Sequence, residues 1–316
     1  MRPSPGLWLL PLALAGCHWL LPLGQSAPPD GQIDDLPGDV RPSDLRHSDA
    51  TLTVGPAALV AELSTPTTWE TDPVLTGDGL TIYFSSTRSS QYNGGCVFVA
   101  TRNNPDGPFG TPLPILESTG SDFLTVTPDD LTAVYSSDRL MPGNVDMWIG
   151  TRADPLVPWD FAKFEPLAKL NTPNTEYDAR LSANGLRLYY APEGFGVATD
   201  QQLVVSERSA ADKELQPPAG LLLGSHASQV DADPCPSQDE LLLVFTSTRD
   251  GGMGMTDLWY TVRPDPQSAF SSPRPLAEIN TEFHDRDPFL TTGRKWLYFT
   301  STRDGNQNIY RAPVKL

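Results

Sequence analysis

The chain has 316 residues and a net charge of −17, from 22 lysines and arginines against 39 aspartates and glutamates, which argues against nucleic acid as a partner. Hydrophobic residues make up 39% of the sequence, enough for a packed core, and this excludes a wholly disordered chain. The 32 prolines argue against long helical bundles, because a proline inside a helix removes a hydrogen bond and adds a clash.

Residues 1–16 are predicted to form a signal peptide of the lipoprotein type. Arg2 is their one charged residue, and an apolar run follows it. The next feature, Leu14-Ala15-Gly16-Cys17, resembles the lipobox of bacterial lipoproteins. This resemblance implies that Cys17 is lipidated and becomes the new amino terminus, so that its acyl chains hold the protein at a membrane.

Two alternatives to the lipobox stay open. Ala13-Leu14-Ala15 fits an ordinary A-x-A cleavage site, which would release a soluble secreted protein, and residues 7–23 could stay in place as a membrane anchor. We expect an exported protein that is lipid-anchored in the cell envelope. The outer membrane and periplasm are favoured over the inner membrane, because His18 rather than an aspartate follows Cys17.

Residues 17–50 are predicted to form a flexible, acidic and proline-rich tether. From residue 25 onward this segment is rich in Pro, Asp, Gly and Ser and has almost no apolar pattern. Such a segment cannot bury enough surface to offset the entropy that ordering would cost. We therefore expect it to act as a spacer between a membrane and a folded domain.

One phrase recurs five times in residues 51–316. Its clearest copy begins with Asp72-Pro73 and continues through Asp78-Gly79, a pair that tolerates the positive φ angles of a tight hairpin turn. The aligned aromatic residues follow one another at intervals of roughly 54 residues, which is close to the period of propeller blades. These aromatic residues are Phe84, Tyr135, Tyr190, Phe245 and Phe299.

The five copies predict an all-β fold, a five-bladed β-propeller with four-stranded blades. The second strand of each copy is apolar on both faces, as expected for a sheet packed between neighbouring sheets. The fifth copy ends before its fourth strand, whereas residues 57–65 carry the fourth-strand phrase ahead of the first copy. The N-terminal strand is therefore predicted to complete the last blade. In this order Cys96 and Cys235 lie in non-adjacent blades, which argues against a disulfide.

The repeated phrase resembles the WD-like β-propeller repeat of the TolB type. Matching residues are Asp78-Gly79, Ile82-Tyr83-Phe84 and Arg88 in the first unit, and Asp257-Leu258-Trp259 in the fourth. The second unit lacks the Asp-Pro pair, and the third has Gly194 where other units have arginine, so these two blades are expected to be looser or held differently. The resemblance implies a bacterial envelope propeller that contacts other proteins without catalysis.

A carboxylate stands two residues before the aspartate that opens the phrase in four of the units, and Ser121 stands there in the second unit. The four carboxylates are Glu70, Glu176, Asp231 and Asp285. Innermost strands converge on a propeller's axis, so these groups could ring a channel mouth and hold a cation, a basic peptide or a sugar. The alternative is architectural: each carboxylate caps backbone N–H groups or pairs with a strand-end arginine, as residues that recur in every unit usually do.

Two further residues, Trp69 and His284, come just before innermost strands. Connections at that end of a propeller carry ligand contacts, so these rings could stack on a sugar or a peptide, although packing between blades is the alternative. The sequence has no G-x-S-x-G, H-E-x-x-H or phosphate-binding G-x-x-x-x-G-K motif. We therefore expect no enzymatic activity.

The expected function is that of a monomeric protein-interaction platform in the cell envelope. Its partner would be an envelope protein or peptide, and the membrane would be contacted only through the lipid at Cys17. No cofactor or metal is expected, with an axial cation as the alternative. A second hypothesis is a glycan-binding or glycan-hydrolysing propeller that uses axial carboxylates. A third is a structural spacer, which an exposed apolar patch on one face would disfavour.

Overall fold

The protein folds into a ring of five antiparallel sheets, and the predicted five-bladed β-propeller is confirmed. The structure, a computed structural model, describes residues 51–88, 96–115, 123–137, 144–193, 202–221, 223–224 and 229–315. The predicted signal peptide, Cys17 and the tether lie outside these residues. Within the described ranges, no helix has both the length and the apolar character needed to cross a membrane.

The chain enters the ring through two short strands and then builds the first two blades. The entering strands are β1 (Thr53–Val54) and β2 (Ala58–Leu59). The first blade consists of β3 (Glu70–Leu75), β4 (Thr81–Ser86), β5 (Cys96–Thr101) and β6 (Leu113–Pro114). The second consists of β7 (Phe123–Val126), β8 (Thr132–Ser137), β9 (Asp146–Thr151) and β10 (Glu165–Pro166).

The remaining three blades follow in chain order. The third consists of β11 (Glu176–Leu181), β12 (Arg187–Pro192), β13 (Val204–Glu207) and β14 (Ala219–Gly220). The fourth consists of β15 (Asp231–Pro236), β16 (Leu242–Ser247), β17 (Asp257–Val262) and β18 (Arg274–Pro275). The fifth has β19 (Asp285–Leu290), β20 (Trp296–Ser301) and β21 (Asn308–Lys315) from the end of the chain. Two 3₁₀ turns, Phe161–Lys163 and Thr292–Arg294, are the helical elements of the described residues.

The N-terminal segment completes the fifth blade, as predicted from the missing strand. Both β2 and β1 pair antiparallel with β21, so the predicted single strand is split into two short ones. The next turn carries Leu63, which is fully buried in a cluster with Phe84 of the first blade and Tyr298 of the fifth. One short segment therefore joins the two ends of the ring.

The second strands are buried on both faces because neighbouring blades pack on each side. In β4, Phe84 lies in the hydrophobic cluster shared with the fifth blade, and the preceding residue, Tyr83, lies in the cluster shared with the second blade. Cys96 and Cys235 are both buried, lie in separate clusters and form no disulfide with each other, as expected.

The innermost strands of four blades contain a β-bulge. The pairing of β3 with β4 shifts between Thr71 and Val74, and the intervening aspartate has a positive φ. The aspartates at the four bulges are Asp72, Asp178, Asp233 and Asp287, with φ of 55°, 57°, 52° and 53°. In the second blade, which lacks the Asp-Pro pair, Phe123 to Val126 pair with β8 without a shift. The recurring aspartate thus marks the bulge, since proline follows it in the first, fourth and fifth blades whereas Ala179 follows Asp178 in the third.

Two of the five seams, the contacts between successive blades, hold a buried tyrosine–carboxylate pair. Tyr83 of the first blade donates its hydroxyl to Asp130 of the second, at 3.1 Å. Tyr189 of the third blade donates to Glu240 of the fourth, at 2.5 Å. Both carboxylates lie at a positive-φ turn position that is Gly79 in the first blade. Burial raises the pKa of Asp130 to about 6, although ion pairing with Arg152 and the Tyr83 hydroxyl act in the opposite direction.

We expect Tyr83→Phe to lower the free energy of unfolding by about 1–3 kcal/mol, because buried Asp130 loses a hydrogen-bond donor. The matched control is Tyr298→Phe, at the equivalent position of the fifth blade, where the hydroxyl accepts a hydrogen bond from Arg102 instead. Its expected cost is about 0.5–1.5 kcal/mol. Urea denaturation of both variants measures the difference, and equal losses would contradict the role given to Asp130.

Candidate functional site

The four bulge aspartates meet at the axis and form the floor of a cavity. In a regular innermost strand, side chains point toward the two neighbouring blades, and the bulge redirects the aspartate toward the axis. Asp72 and Asp178 are partly exposed, whereas Asp233 and Asp287 are buried. Asp233 Oδ2 accepts a hydrogen bond from the backbone N–H of Asp287 at 3.2 Å. All four aspartates line the same space.

This axial cavity has a volume of about 560 Å³. Its wall is formed by the residue that precedes the bulge in three blades, and by Phe123 in the second. These wall residues are Thr71, Phe123, Ala232 and Arg286. Trp69 and Val230 lie at its rim, at the end of the ring where connections lead into the innermost strands. We call this end the mouth face. Arg180, whose guanidinium lies 5.3 Å from the centre of the Phe289 ring, occupies the axis beyond the floor.

Burial, together with neighbouring carboxylates, raises the pKa values of three floor aspartates. Burial is the largest cause for Asp178, and the neighbouring charge of Asp233 adds to it, so the pKa of Asp178 lies well above its ordinary value. Burial and the charge of Asp287 do the same to the pKa of Asp72. The pKa of Asp287 rises to about 6, mainly through burial and against the attraction of Arg286. The floor therefore retains protons at pH values where exposed aspartates are ionised.

Four buried polar atoms at the cavity have no hydrogen-bond partner among the described residues. They are Ser85 Oγ, Thr246 Oγ1, and the ion-paired atoms Arg286 Nε and Asp287 Oδ2, which lie 3.6 Å apart. Ser85 and Thr246 occupy the same position in the second strands of the first and fourth blades and are 5% and 4% exposed. Within the described part of the chain, no group of three or more His, Cys, Asp and Glu side chains has the arrangement of a metal site.

Three of the sequence-predicted carboxylates lie between blades rather than in this cavity. Glu70 pairs with Arg88 at 3.2 Å, Asp231 with Arg249 at 2.6 Å, and Asp285 with Arg303 at 2.7 Å. Each arginine also donates to a backbone carbonyl of the segment that arrives from the preceding blade; these carbonyls belong to Leu63, Leu223 and Ile279. The contacts are those of the architectural alternative, and a ligand role for these carboxylates stays a prediction.

Glu176, the equivalent residue of the third blade, is held differently. Thr172 donates its hydroxyl to Glu176 Oε1 at 2.6 Å and its backbone N–H to the same carboxylate. No arginine contacts Glu176 among the residues that the structure describes, and burial raises its pKa to about 7. Gly194, which replaces the arginine in the sequence, and Ser121 of the second unit both lie outside the described residues.

The two sequence-predicted rings lie on the mouth face. Trp69 is 55% exposed and lines the axial cavity. His284 Nδ1 is 3.0 Å from Thr256 Oγ1, and this contact joins the connection that enters the fifth blade to the loop before β17. Beside it, Met255 donates its backbone N–H to the carbonyl of Phe283. The structure thus brings Trp69, but not the four predicted carboxylates, into contact with the axial cavity.

Sequence reasoning selected the correct strands but missed the aspartates that reach the axis. Glu70 and Asp72 are two residues apart, and regular alternation would place both on one face of the strand. The bulge breaks that alternation, so the aspartate that opens the phrase in four units was the signal for the axial residues. The wall residues Thr71 and Arg286 carry no signal of this kind, because they differ from blade to blade.

Comparison with solved structures shows the propeller fold. A thermostable family-43 glycoside hydrolase is 14% identical, with a TM-score of 0.56 over 79% of this chain and 89% of that one. An alpha-L-arabinofuranosidase from Lactobacillus brevis is 14% identical, with a TM-score of 0.52 over 81% and 94%. TolB from Acinetobacter baumannii is 11% identical, with a TM-score of 0.47 over 82% of this chain and 54% of TolB. No protein-family model and no curated protein matches the chain. At such identities a shared fold does not carry an activity.

We expect Asp178→Asn to raise the melting temperature at pH 8 by about 2–4 °C, because ionising a carboxylate among the floor aspartates is costly and asparagine tolerates a positive φ. A carboxyl group whose pKa is raised on folding favours the folded state at low pH and loses that effect as pH rises through the folded pKa. The gain should therefore shrink toward pH 4. The exposed control Glu165→Gln should leave the curve unchanged, and a less stable Asp178→Asn at pH 8 would refute this account.

Proposed function

We propose that this chain is a non-enzymatic binding protein of the cell envelope, and that its propeller receives a partner protein or peptide on the mouth face. The observation that carries the proposal is the axial cavity together with the apolar side chains around its opening. Trp69, Met253, Met255 and Phe283 are 55%, 57%, 65% and 42% exposed, and all lie on mouth-face connections. Exposed aromatic and methionine side chains that are grouped on one face are typical of interaction sites, which disfavours a mere spacer.

The variable wall of the cavity supports the same proposal. Residues that recur between blades, such as the Arg88–Glu70 pair and its equivalents in the fourth and fifth blades, hold neighbouring blades together. The wall position instead carries a hydroxyl at Thr71, an aromatic ring at Phe123 and a guanidinium at Arg286. Because architecture requires repetition and recognition requires distinct groups, this variation is expected of a surface that recognises one particular partner.

The cell-envelope part of the proposal depends on the N-terminal sequence. Export, lipid attachment at Cys17 and a spacer over residues 17–50 would present a monomeric propeller to the periplasm, anchored in the outer membrane. The net charge of −17 is compatible with a basic partner and disfavours direct contact with anionic lipid headgroups. No cofactor is part of this proposal.

A photo-crosslinking experiment tests the mouth face. A photoreactive phenylalanine analogue at Met255 of the full-length protein in its native envelope is expected to give one discrete crosslinked species. Adding Trp69→Ala should reduce its yield several-fold. The matched control position is Leu156, which is 90% exposed on the connection between β9 and β10 at the opposite end. The same pattern from both positions, or no product from Met255, would contradict the proposal.

Glycan binding or hydrolysis is the second candidate, and the floor carboxylates favour it. Asp178 and Asp287 have raised pKa values, and a carboxyl group that retains its proton is the general acid that chemistry on glycosides uses. Two structural neighbours with TM-scores above 0.5 are named as a glycoside hydrolase and an arabinofuranosidase. Arginine pairing of Glu70, Asp231 and Asp285 leaves the floor aspartates as the carboxylates for this role.

A chromogenic assay decides this second candidate. If the chain is a hydrolase, purified protein should release nitrophenol from p-nitrophenyl α-L-arabinofuranoside, and Asp287→Asn should reduce kcat at least 100-fold. Glu165→Gln, which removes one charge from the outer edge, is the control and should retain full activity. No turnover on arabinoside and xyloside substrates, or equal turnover by Asp287→Asn, would remove the hydrolase candidate.

A further inference from the structure

The axial cavity is amphipathic along the propeller axis. Its upper wall includes the apolar side chains of Phe123, Val230 and Ala232, and the Trp69 ring lies at the rim. Its floor carries the four bulge aspartates. A ligand that fits both parts has an apolar stem and a charged or strongly hydrogen-bonding head. A lysine side chain has this construction, because four methylene groups precede its ammonium group.

The charges at the floor call for a positively charged head. Four carboxylates face one another, and the nearest positive charge on the wall is Arg286, whose Nε lies 3.6 Å from Asp287 Oδ2. The Arg286 guanidinium is also hydrogen-bonded to Gln307. Arg180 lies beyond the floor and lines the adjoining space. Two guanidinium groups balance two of the four carboxylates, and protons held by the floor neutralise the remaining negative charge. A bound cation would replace these protons.

Unsatisfied hydrogen-bonding atoms independently indicate that the floor receives a polar group. Ser85 Oγ and Thr246 Oγ1 lie on second strands behind the floor, line the cavity and have no partner within the described residues. Asp287 Oδ2 and Arg286 Nε also lack a hydrogen-bond partner, but they lie 3.6 Å apart and form an ion pair with each other. Buried polar atoms normally find hydrogen-bond partners, so a polar group from outside the protein would complete the two hydroxyls.

We propose that the floor of the axial cavity binds the ammonium group of a lysine side chain that the partner protein inserts from the mouth face. This inference rests on the proposed binding function. The three N–H donors of the ammonium group would be shared between floor carboxylates and the Ser85 and Thr246 hydroxyls. The stem would pass Phe123 and Ala232. A compact point charge suits carboxylates that surround an axis, whereas the planar guanidinium of arginine suits a single carboxylate edge.

Isothermal titration of the purified propeller with short peptides tests this inference. The probe is acetyl-Gly-Gly-Lys-Gly-Gly-amide, and its neutral counterpart carries N-acetyl-lysine. We expect the lysine peptide to bind at least tenfold more tightly than the acetylated one. Asp233→Asn should weaken binding of the lysine peptide by about tenfold. Thr246→Val, made separately, should weaken it severalfold. Glu165→Gln removes an equal charge far from the axis and should leave the affinity unchanged.

Each outcome separates the inference from its alternatives. Equal affinity for both peptides, or full affinity in a folded Asp233→Asn protein, would overturn lysine recognition. Displacement of the lysine peptide by equimolar CaCl₂ would also overturn it, in favour of a metal site. If Met255 crosslinks a partner while the lysine peptide fails to bind, the binding function stands and the lysine inference alone fails. If Met255 also yields no crosslink, both fail.

Discussion

Burial of the second strands on both faces is the constraint from which the rest of the structure follows. A strand such as β4 presents Tyr83 to one neighbouring blade and Phe84 to the other, so no blade can satisfy its hydrophobic surface alone. Only a closed ring supplies two neighbours to every sheet. The short N-terminal segment closes the ring, because its strand β2 pairs with the last strand and its Leu63 packs against the first blade. The repeats are thus mutually dependent, and the cavity at their centre exists only when all five are in place.

The same ring geometry explains why the axial site consists of bulge residues. The inner edge of each sheet faces the axis with backbone rather than side chains, which would leave a propeller with a featureless channel. A single aspartate in the left-handed region, at the register shift, turns one carboxylate out of that plane in four blades. The second blade lacks the shift and contributes Phe123 to the wall instead. The asymmetry of the site therefore has its origin in the one innermost strand that lacks the bulge aspartate.

The fold could be predicted well because the sequence contains five aligned copies of one strand pattern. Strand order, the two-sided burial of the second strand and the closing N-terminal segment all follow from the aligned copies, because residues 57–65 carry the fourth-strand phrase ahead of the first copy. The site was predicted less well. Convergence of the innermost strands on the axis made Glu70 and its equivalents candidates for a channel mouth, whereas Glu70, Asp231 and Asp285 pair with arginines between blades. A left-handed aspartate is a local exception that strand alternation cannot foresee. In the third blade, Glu176 receives from Thr172 the contact that Asp285 also receives from Thr281.

The five seams differ in the side chains that meet there, and with an odd number of blades two kinds of seam cannot alternate around the whole ring. Tyr83 and Tyr189 each face an acidic residue at the positive-φ turn of the next blade. The equivalent residues of the second and fourth blades are Val134 and Val244, and the turns of the blades that follow them carry Gly185 and Arg294. Where the ring closes, Tyr298 is opposite Gly79. Seams with a tyrosine–carboxylate pair and seams with a valine alternate from the first blade to the fifth. The seam between the fifth and first blades, with Tyr298 and Gly79, belongs to neither kind. Tyr298 keeps the arginine contact, here from Arg102, that Tyr83 and Tyr189 receive from Arg152 and Arg263. The order of the blades is consequently constrained, because exchanging the second and third would set Tyr83 against Gly185 and leave the buried carboxylate of Glu240 facing Val134.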